Sequence, residues 1–226
     1  MPGVIFDLDG VLIDSEGLQY AAYMRVLERW NVSVTKETYA THWIAAGRGP
    51  EYAVATFGLP IEPDGIRELK HPVYHEILRA RVTLMPGARE AVARLAARFP
   101  VALATNSNRN DVDFVMDHFD LRRFFAAIVT RADYARAKPE PDAFLAAAAR
   151  LGLAPESCVV IEDAHKGVLA AHRAGVPVIA VPNEWTRGND FSLADRTLAS
   201  LDEVSVALVE ELAGGRGENG AAAQGG

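Results

Sequence analysis

The chain has 226 residues, 50% hydrophobic and 23% charged, which are the proportions of a globular protein with a core and exclude a disordered chain. Thirty acidic against 23 basic residues give a net charge of −7, so nucleic acid and anionic membrane repel the chain rather than attract it. Its single cysteine, Cys158, excludes an intramolecular disulfide and a cysteine-rich metal site.

The opening MPGVIFDLDG has neither a basic region nor a long apolar run of the kind a secretory leader carries. No stretch approaches the ~18 apolar residues of a membrane span. The expectation is a soluble, cytoplasmic protein built as one large domain or as a domain with an insert.

In chain order, the first predicted element is the short apolar strand Val4-Ile5-Phe6, which ends at Asp7. From about residue 15 to 82 the apolar spacing becomes helical. Leu18, Ala22, Val26 and Trp30 fall four apart in a helix over 17–30, and 52–57 and 66–80 are further helices. Met85-Pro86-Gly87 marks the return to alternating strands and helices. A helix over 88–98 carries Leu95 and Phe99 four apart, and the strand Val101–Ala104 follows. A helix over 110–119 carries Val112, Val115, Met116 and Phe119 at helical spacing. A strand over 126–129, a helix over 141–151, a strand over 158–161, a helix over 165–174 and a strand over 177–181 complete the series. Gly152 and Gly175 stand where helix ends favour a left-handed residue.

Strands this short and this apolar belong in a parallel sheet buried on both faces. The fold class is α/β, a doubly wound parallel sheet with an inserted helical domain. The expected organisation is a core of residues 1–14 and 83–212, a helical insert of residues 15–82, and a disordered Gly/Ala-rich tail of residues 213–226.

In open α/β sheets, ligands bind outside the carboxyl ends of the strands. The first strand runs into Asp7-Leu8-Asp9-Gly10, the second into Thr105-Asn106-Ser107-Asn108, and the fourth into Glu162-Asp163. Lys138 lies in the loop after the third. Any one of these is an ordinary turn, cap or surface residue. Their joint placement at successive strand ends is what points to a site. Aspartates at i and i+2 of an extended segment share a side, and crowded carboxylates repel unless a cation or shared protons offset them. All-oxygen ligands select a hard cation, and a sparse carboxylate set suits Mg2+. Thr105 and the N–H groups of a following helix suit a phosphate oxygen, and Lys138 adds positive charge against it. The chemistry that fits is phosphoryl transfer with a carboxylate nucleophile.

On these residues the sequence resembles the haloacid dehalogenase-like hydrolase superfamily, in the branch with a small helical cap after the first strand. Asp7-Leu8-Asp9-Gly10-Val11-Leu12-Ile13-Asp14-Ser15 matches its first motif. Val101–Ala104 followed by Thr105-Asn106 matches the second, Lys138-Pro139-Glu140-Pro141-Asp142 the third, and Val160-Ile161-Glu162-Asp163 the fourth in its Glu-Asp form. The match runs from about residue 4 to 182. The resemblance implies that Asp7 attacks phosphorus to form an aspartyl-phosphate, and that Asp9 protonates the leaving oxygen and then activates water. It implies Mg2+ held by Asp7, the backbone carbonyl of Asp9, and Asp163, with Glu162 direct or through water. Thr105 and the Asn106 amide hold the phosphoryl group, and Lys138 bridges it to Asp7. The cap closes over the site and sets specificity, with Arg48 as a candidate substrate contact.

The activity implied is a Mg2+-dependent phosphatase acting on a small phosphorylated metabolite, for example a sugar phosphate, because the family's dehalogenases lack an aspartate at the position of Asp9. A phosphosugar mutase similar to β-phosphoglucomutase is the alternative. That enzyme carries a histidine early in the cap where this chain has Gln19. A more distant alternative is a signalling domain that stores an aspartyl-phosphate, as response-regulator receivers do. Their acidic pair follows the first strand, which is the reverse of the order here.

Other signals are set aside. Gly47-x-Gly49 follows no strand and lacks the third glycine of a dinucleotide fingerprint. Asp7-x-Asp9 is not a calcium loop, because Val11 and Leu12 stand where ligand and glycine are needed. Cys158 reads as a core thiol, His165 and His172 as surface or packing residues, and Trp30, Trp43 and Trp185 as packing aromatics.

Overall fold

The computed structural model describes residues 1–215, so the expected tail from 216 to 226 lies outside the described residues. The chain divides into two compact units. One comprises 1–13, 84–183 and the residues from Asp190 onward; the other comprises Asp14–Thr83 with Glu184–Asn189.

The first unit holds a sheet of strands β1 (Gly3–Phe6), β2 (Val101–Ala104), β3 (Ala127–Val129), β4 (Cys158–Glu162), β5 (Val178–Ala180) and β6 (Arg196–Thr197). Their order is β3-β2-β1-β4-β5-β6 and every pairing is parallel. Central strands of a parallel sheet have no wet face, and β1, β2 and β4 are buried at every residue. Ile5, Ala102, Ala104, Val160 and Val178 form one face of the sheet. They pack in a single cluster with residues of the helices that run Asp142–Leu151 and His165–Arg173. The alternate residues Val4, Phe6, Val101, Leu103, Val159 and Ile161 are equally buried, so both faces are covered.

In chain order the helices are α1 (Glu16–Leu27), α2 (Lys36–Tyr39), α3 (Gly49–Phe57), α4 (Pro63–Arg81), α5 (Ala88–Ala96), α6 (Arg109–His118), α7 (Asp142–Leu151), α8 (His165–Arg173) and α9 (Val206–Gly215). Gly152 (φ +70°) and Gly175 (φ +71°) take the left-handed turn expected after α7 and α8. Cys158 is fully buried, and burial lifts its thiol to about 11, so it is a core residue and no nucleophile.

Four features depart from the sequence reading. The strand β6 was not expected; it is two exposed residues at a sheet edge and carries no apolar signal. Residues 213–215, placed in the tail, are the last turn of α9, which is anchored by buried Val209 and Leu212. Between the helices named for the insert, the structure adds α2 and a π-helical turn Ala40–Ala45, to which the sequence reading gave no bounds. Thr35 caps α2 by accepting from the Thr38 N–H at 3.1 Å, a local hydroxyl cap rather than an apolar period. Finally, Glu184–Asn189 belongs with the helical unit and not with the sheet.

The helical unit has its own core. Val26, Leu27, Val34, Tyr39, Ala53, Leu59 and Ile66 form it, and Trp30, Trp43 and Trp185 pack against it. Tyr39 and Trp43 stack with centroids 5.4 Å apart, and Trp185 meets Tyr39 edge-on at 5.9 Å. The tryptophans are packing residues, as the sequence suggests. Among the described residues no helix is long and apolar enough to cross a membrane.

Candidate active site

Strand register assembles the site. Phe6 pairs with Leu103 on one side and Ile161 on the other. The next residue of each strand, Asp7, Ala104 and Glu162, therefore falls in one row at the carboxyl edge. The Asp7 N–H donates to the Ile161 carbonyl at 3.0 Å and keeps that row in register beyond β1.

Lys138 reaches this row from the loop before α7 and is buried with it. Its ammonium lies 2.6 Å from Asp7 Oδ1, 2.8 Å from Glu162 Oε1 and 3.0 Å from the Ala104 carbonyl. Three N–H donors meet three acceptors, which is the full capacity of a lysine. The second oxygen of Glu162 accepts the N–H of Asp163 at 2.9 Å and that of Ala164 at 3.3 Å. The carboxylate thereby satisfies orphan donors at the start of α8, where the helix dipole also favours negative charge. Gly167 in the first turn of α8 makes room for it, since a Cβ there would collide with the Glu162 carboxylate.

Asp163 completes the acidic group. Its Oδ2 accepts from Asn183 Nδ2 at 2.8 Å, and the same amide nitrogen lies 3.2 Å from the Gly10 carbonyl. Gly10 has φ +77°, and a side chain there would strike the Asp163 carboxylate. Glycine is required on both counts: left-handed backbone and close approach. Ligand atoms of Asp7, Glu162 and Asp163 all lie within 4.8 Å of one another, and all three residues are buried.

Three buried carboxylates beside a single ammonium are an unbalanced set. Burial pushes the Asp7 carboxyl well above the usual carboxylate range; Lys138 pulls it back, and Glu162 and Asp9 push it up further. Burial opposes the charge of Lys138 as well, but Asp7 and Glu162 outweigh it and hold the amine protonated. A divalent cation among these oxygens restores charge balance and favours ionised Asp7. The donor set fits a hard cation such as Mg2+ in number and in chemistry.

The second strand-end loop supplies the remaining groups. Thr105 is buried directly after β2, and its Oγ1 accepts the Ser107 N–H at 3.0 Å. Asn106 Oδ1 accepts the Lys138 N–H at 3.1 Å and faces the Tyr134 hydroxyl at 2.8 Å, so its side chain ties this loop to the lysine loop. The Tyr134 hydroxyl also lies 2.8 Å from the Thr105 carbonyl. Asp9 Oδ2 accepts from Ser107 Oγ at 2.5 Å.

The structure thus brings Asp7, Asp9, Thr105, Asn106, Lys138, Glu162 and Asp163 to one edge of the first unit. Arg48 is different: it stands exposed at the N-terminus of α3, in the helical unit. Sequence reasoning gave no role to Ser107, Tyr134, Asn183 or Gly167. Ser107 was visible as the third residue of the Thr105 loop, and Asn183 as a polar residue just past the fifth strand.

The family model of the haloacid dehalogenase-like hydrolases matches residues 4–181. The chain belongs to this family. It is 30% identical to Protein CbbY of Rhodobacter capsulatus, an alignment covering 94% of this chain and 99% of that protein. It is 33% identical to the phosphorylated carbohydrates phosphatase of Thermotoga maritima, over 93% of this chain and 94% of the relative. Among solved structures, CbbY of Rhodobacter sphaeroides in complex with phosphate superposes with a TM-score of 0.79 at 26% identity, over 93% of this chain and all of the other. Within the haloacid dehalogenase-like family, the relatives of this chain include phosphatases of sugar phosphates and of other small phosphate esters.

Proposed function

We propose that this chain is a Mg2+-dependent phosphatase that hydrolyses a small phosphate monoester, a sugar phosphate being the leading class, through an aspartyl-phosphate on Asp7. The observation that carries this reading is the buried group of Asp7, Lys138, Glu162 and Asp163 at one strand edge, in a chain whose relatives are phosphatases.

The proposed roles are those that the family resemblance implies, and the positions of the residues support them. The Asp7 carboxylate attacks phosphorus, forming a new O–P bond as the ester O–P bond breaks. The leaving oxygen takes a proton from Asp9. Water then attacks the acyl phosphate, gives its proton to Asp9, and free phosphate departs from a regenerated Asp7. Lys138 orients Asp7 and opposes the charge of the transferring group, and Thr105 and the Asn106 backbone N–H hold the phosphoryl oxygens. Asp7, Asp163 and the Asp9 carbonyl, with Glu162 directly or through water, are the groups to hold Mg2+. When bound, the ion supplies positive charge against phosphate oxygens. The helical insert serves as the cap whose residues, Arg48 among them, choose the substrate. A cytoplasmic setting accords with the free buried thiol of Cys158.

Phosphate release from a panel of monoesters, β-glucose 1-phosphate included, tests the reading with Mg2+, with chelator, and in Asp7→Asn. Release that needs the metal and disappears in the variant is expected. Absence of release across the panel overturns the phosphatase, and isomerised sugar phosphate in its place makes the chain a mutase.

A further inference from the structure

The hydroxyl of Ser107 and the carboxylate of Asp9 meet at 2.5 Å although they are 98 residues apart in the chain. A serine in a loop entering a helix usually serves as the cap, but here that task belongs to Asn108. Its Oδ1 accepts the Asp111 N–H at 3.0 Å, and its φ and ψ are those of a capping residue. The Ser107 hydroxyl is therefore not needed by α6. Its backbone is fixed on both sides: its N–H donates to Thr105 Oγ1 at 3.0 Å, and its carbonyl accepts from the Arg131 N–H at 3.0 Å. The side chain is a stationary anchor aimed at one oxygen of Asp9.

We propose that Ser107 is a positioning residue that sets the orientation of the Asp9 carboxyl for proton transfer to the leaving oxygen. The inference rests on the phosphatase reading, in which Asp9 is the acid and then the base. A hydroxyl suits this task because it both donates and accepts. It donates to the carboxylate, and it stays paired when Asp9 carries the proton, so one anchor serves both halves of the cycle. Proton transfer depends on heavy-atom placement within hydrogen-bond reach, and losing the short Ser107 contact shifts the Asp9 carboxyl from that placement.

The test compares two substrates in wild type, Ser107→Ala and Ser107→Thr, with melting temperature as the check on folding. A sugar phosphate has an alkoxide leaving group that needs a proton; p-nitrophenyl phosphate has one that does not. Loss of an aligned acid should lower kcat/KM for the sugar phosphate by about ten- to a hundredfold and for p-nitrophenyl phosphate by less than about threefold. KM should stay near the wild-type value, and threonine should restore most of the loss. Equal losses on both substrates, or no loss on either, overturn the assignment of Ser107 while leaving an active wild type as a phosphatase. A wild type that releases phosphate from neither ester overturns the phosphatase reading, and the role of Ser107 with it.

Discussion

The two units treat charge in opposite ways. In the helical unit Arg67 meets Glu51 with side chains 40% and 43% exposed, and Arg25 meets Glu76 at 55% and 68%. Its interior is aromatic, with Tyr39 in ring contact with Tyr20, Trp43 and Trp185. In the sheet unit Lys138, Asp7 and Glu162 pair with side chains only 2%, 10% and 3% exposed. Exposed pairs are worth roughly 0–1 kcal/mol, whereas charges taken out of water carry a desolvation cost that their mutual attraction offsets only with full hydrogen bonding. A protein seeking stability alone fills such a position with apolar side chains. On the proposed function, the sheet unit keeps its buried charges because the reaction needs them.

The largest expected effect tests this contrast directly. Lys138→Met leaves Asp7 and Glu162 buried without their shared cation. It should lower stability by about 3–5 kcal/mol. Turnover should fall by more than about a hundredfold as the charge opposing the phosphoryl group is lost. Arg67→Met in the helical unit should cost less than about 1 kcal/mol. Urea unfolding of both variants without added metal measures the difference. If the two costs are equal, burial adds nothing to the cost of removing the cation.

The same contrast explains what could be read from the sequence. The strands β1, β2 and β4 announce themselves as short apolar runs, and a strand end fixes where the following residue points. Asp7, Thr105, Glu162 and Asp163 were therefore legible as a group, and the family motifs supplied their roles. Tertiary partners were not legible. Ser107 meets Asp9 across 98 residues, and Asn183 meets Asp163 across 20, through a sheet edge that no local pattern encodes. The helical unit was less legible still. The helix α2 is only four residues long, too short to show a period of its own. Trp185 joins that unit from beyond β5, by packing on Tyr20 and Tyr39. Packing of this kind depends on shape, and sequence spacing does not report it.

A smaller effect sharpens the claim that the acidic cluster is shaped for a cation. Asn183 touches Asp163 and the Gly10 carbonyl, and it carries no charge itself. Asn183→Leu removes an amide that donates to the Asp163 carboxylate, a proposed ligand of the ion. Groups of this kind typically govern metal affinity by about 10–100-fold. Calorimetric titration with Mg2+ should show a weakening of that order, with unfolding in metal-free buffer little changed. Unaltered affinity would mean that the Asn183 amide does not set the position of Asp163 for the ion.

Asp133 lies between the two extremes. It belongs to the sheet unit, its side chain is 16% exposed, and its cationic partners Arg109 and Arg150 are 39% and 42% exposed. Partial burial raises its pKa, but the Thr130 N–H, Arg150, the Thr130 hydroxyl and Arg109 outweigh that and hold the carboxyl at about 2, below its ordinary value of 3.8. A carboxyl more acidic in the folded chain than in the unfolded one adds stability while it is ionised in both. That stability is complete above about pH 4 and is lost as pH falls towards about 2. Asp133→Asn should cost about 1–2 kcal/mol at pH 7, between the figures for Arg67 and Lys138. The gap between variant and wild type in urea unfolding should narrow steadily from pH 4 downward. A gap that persists unchanged at pH 2 would assign the cost to lost hydrogen-bond geometry around Thr130, with the charge of Asp133 contributing nothing.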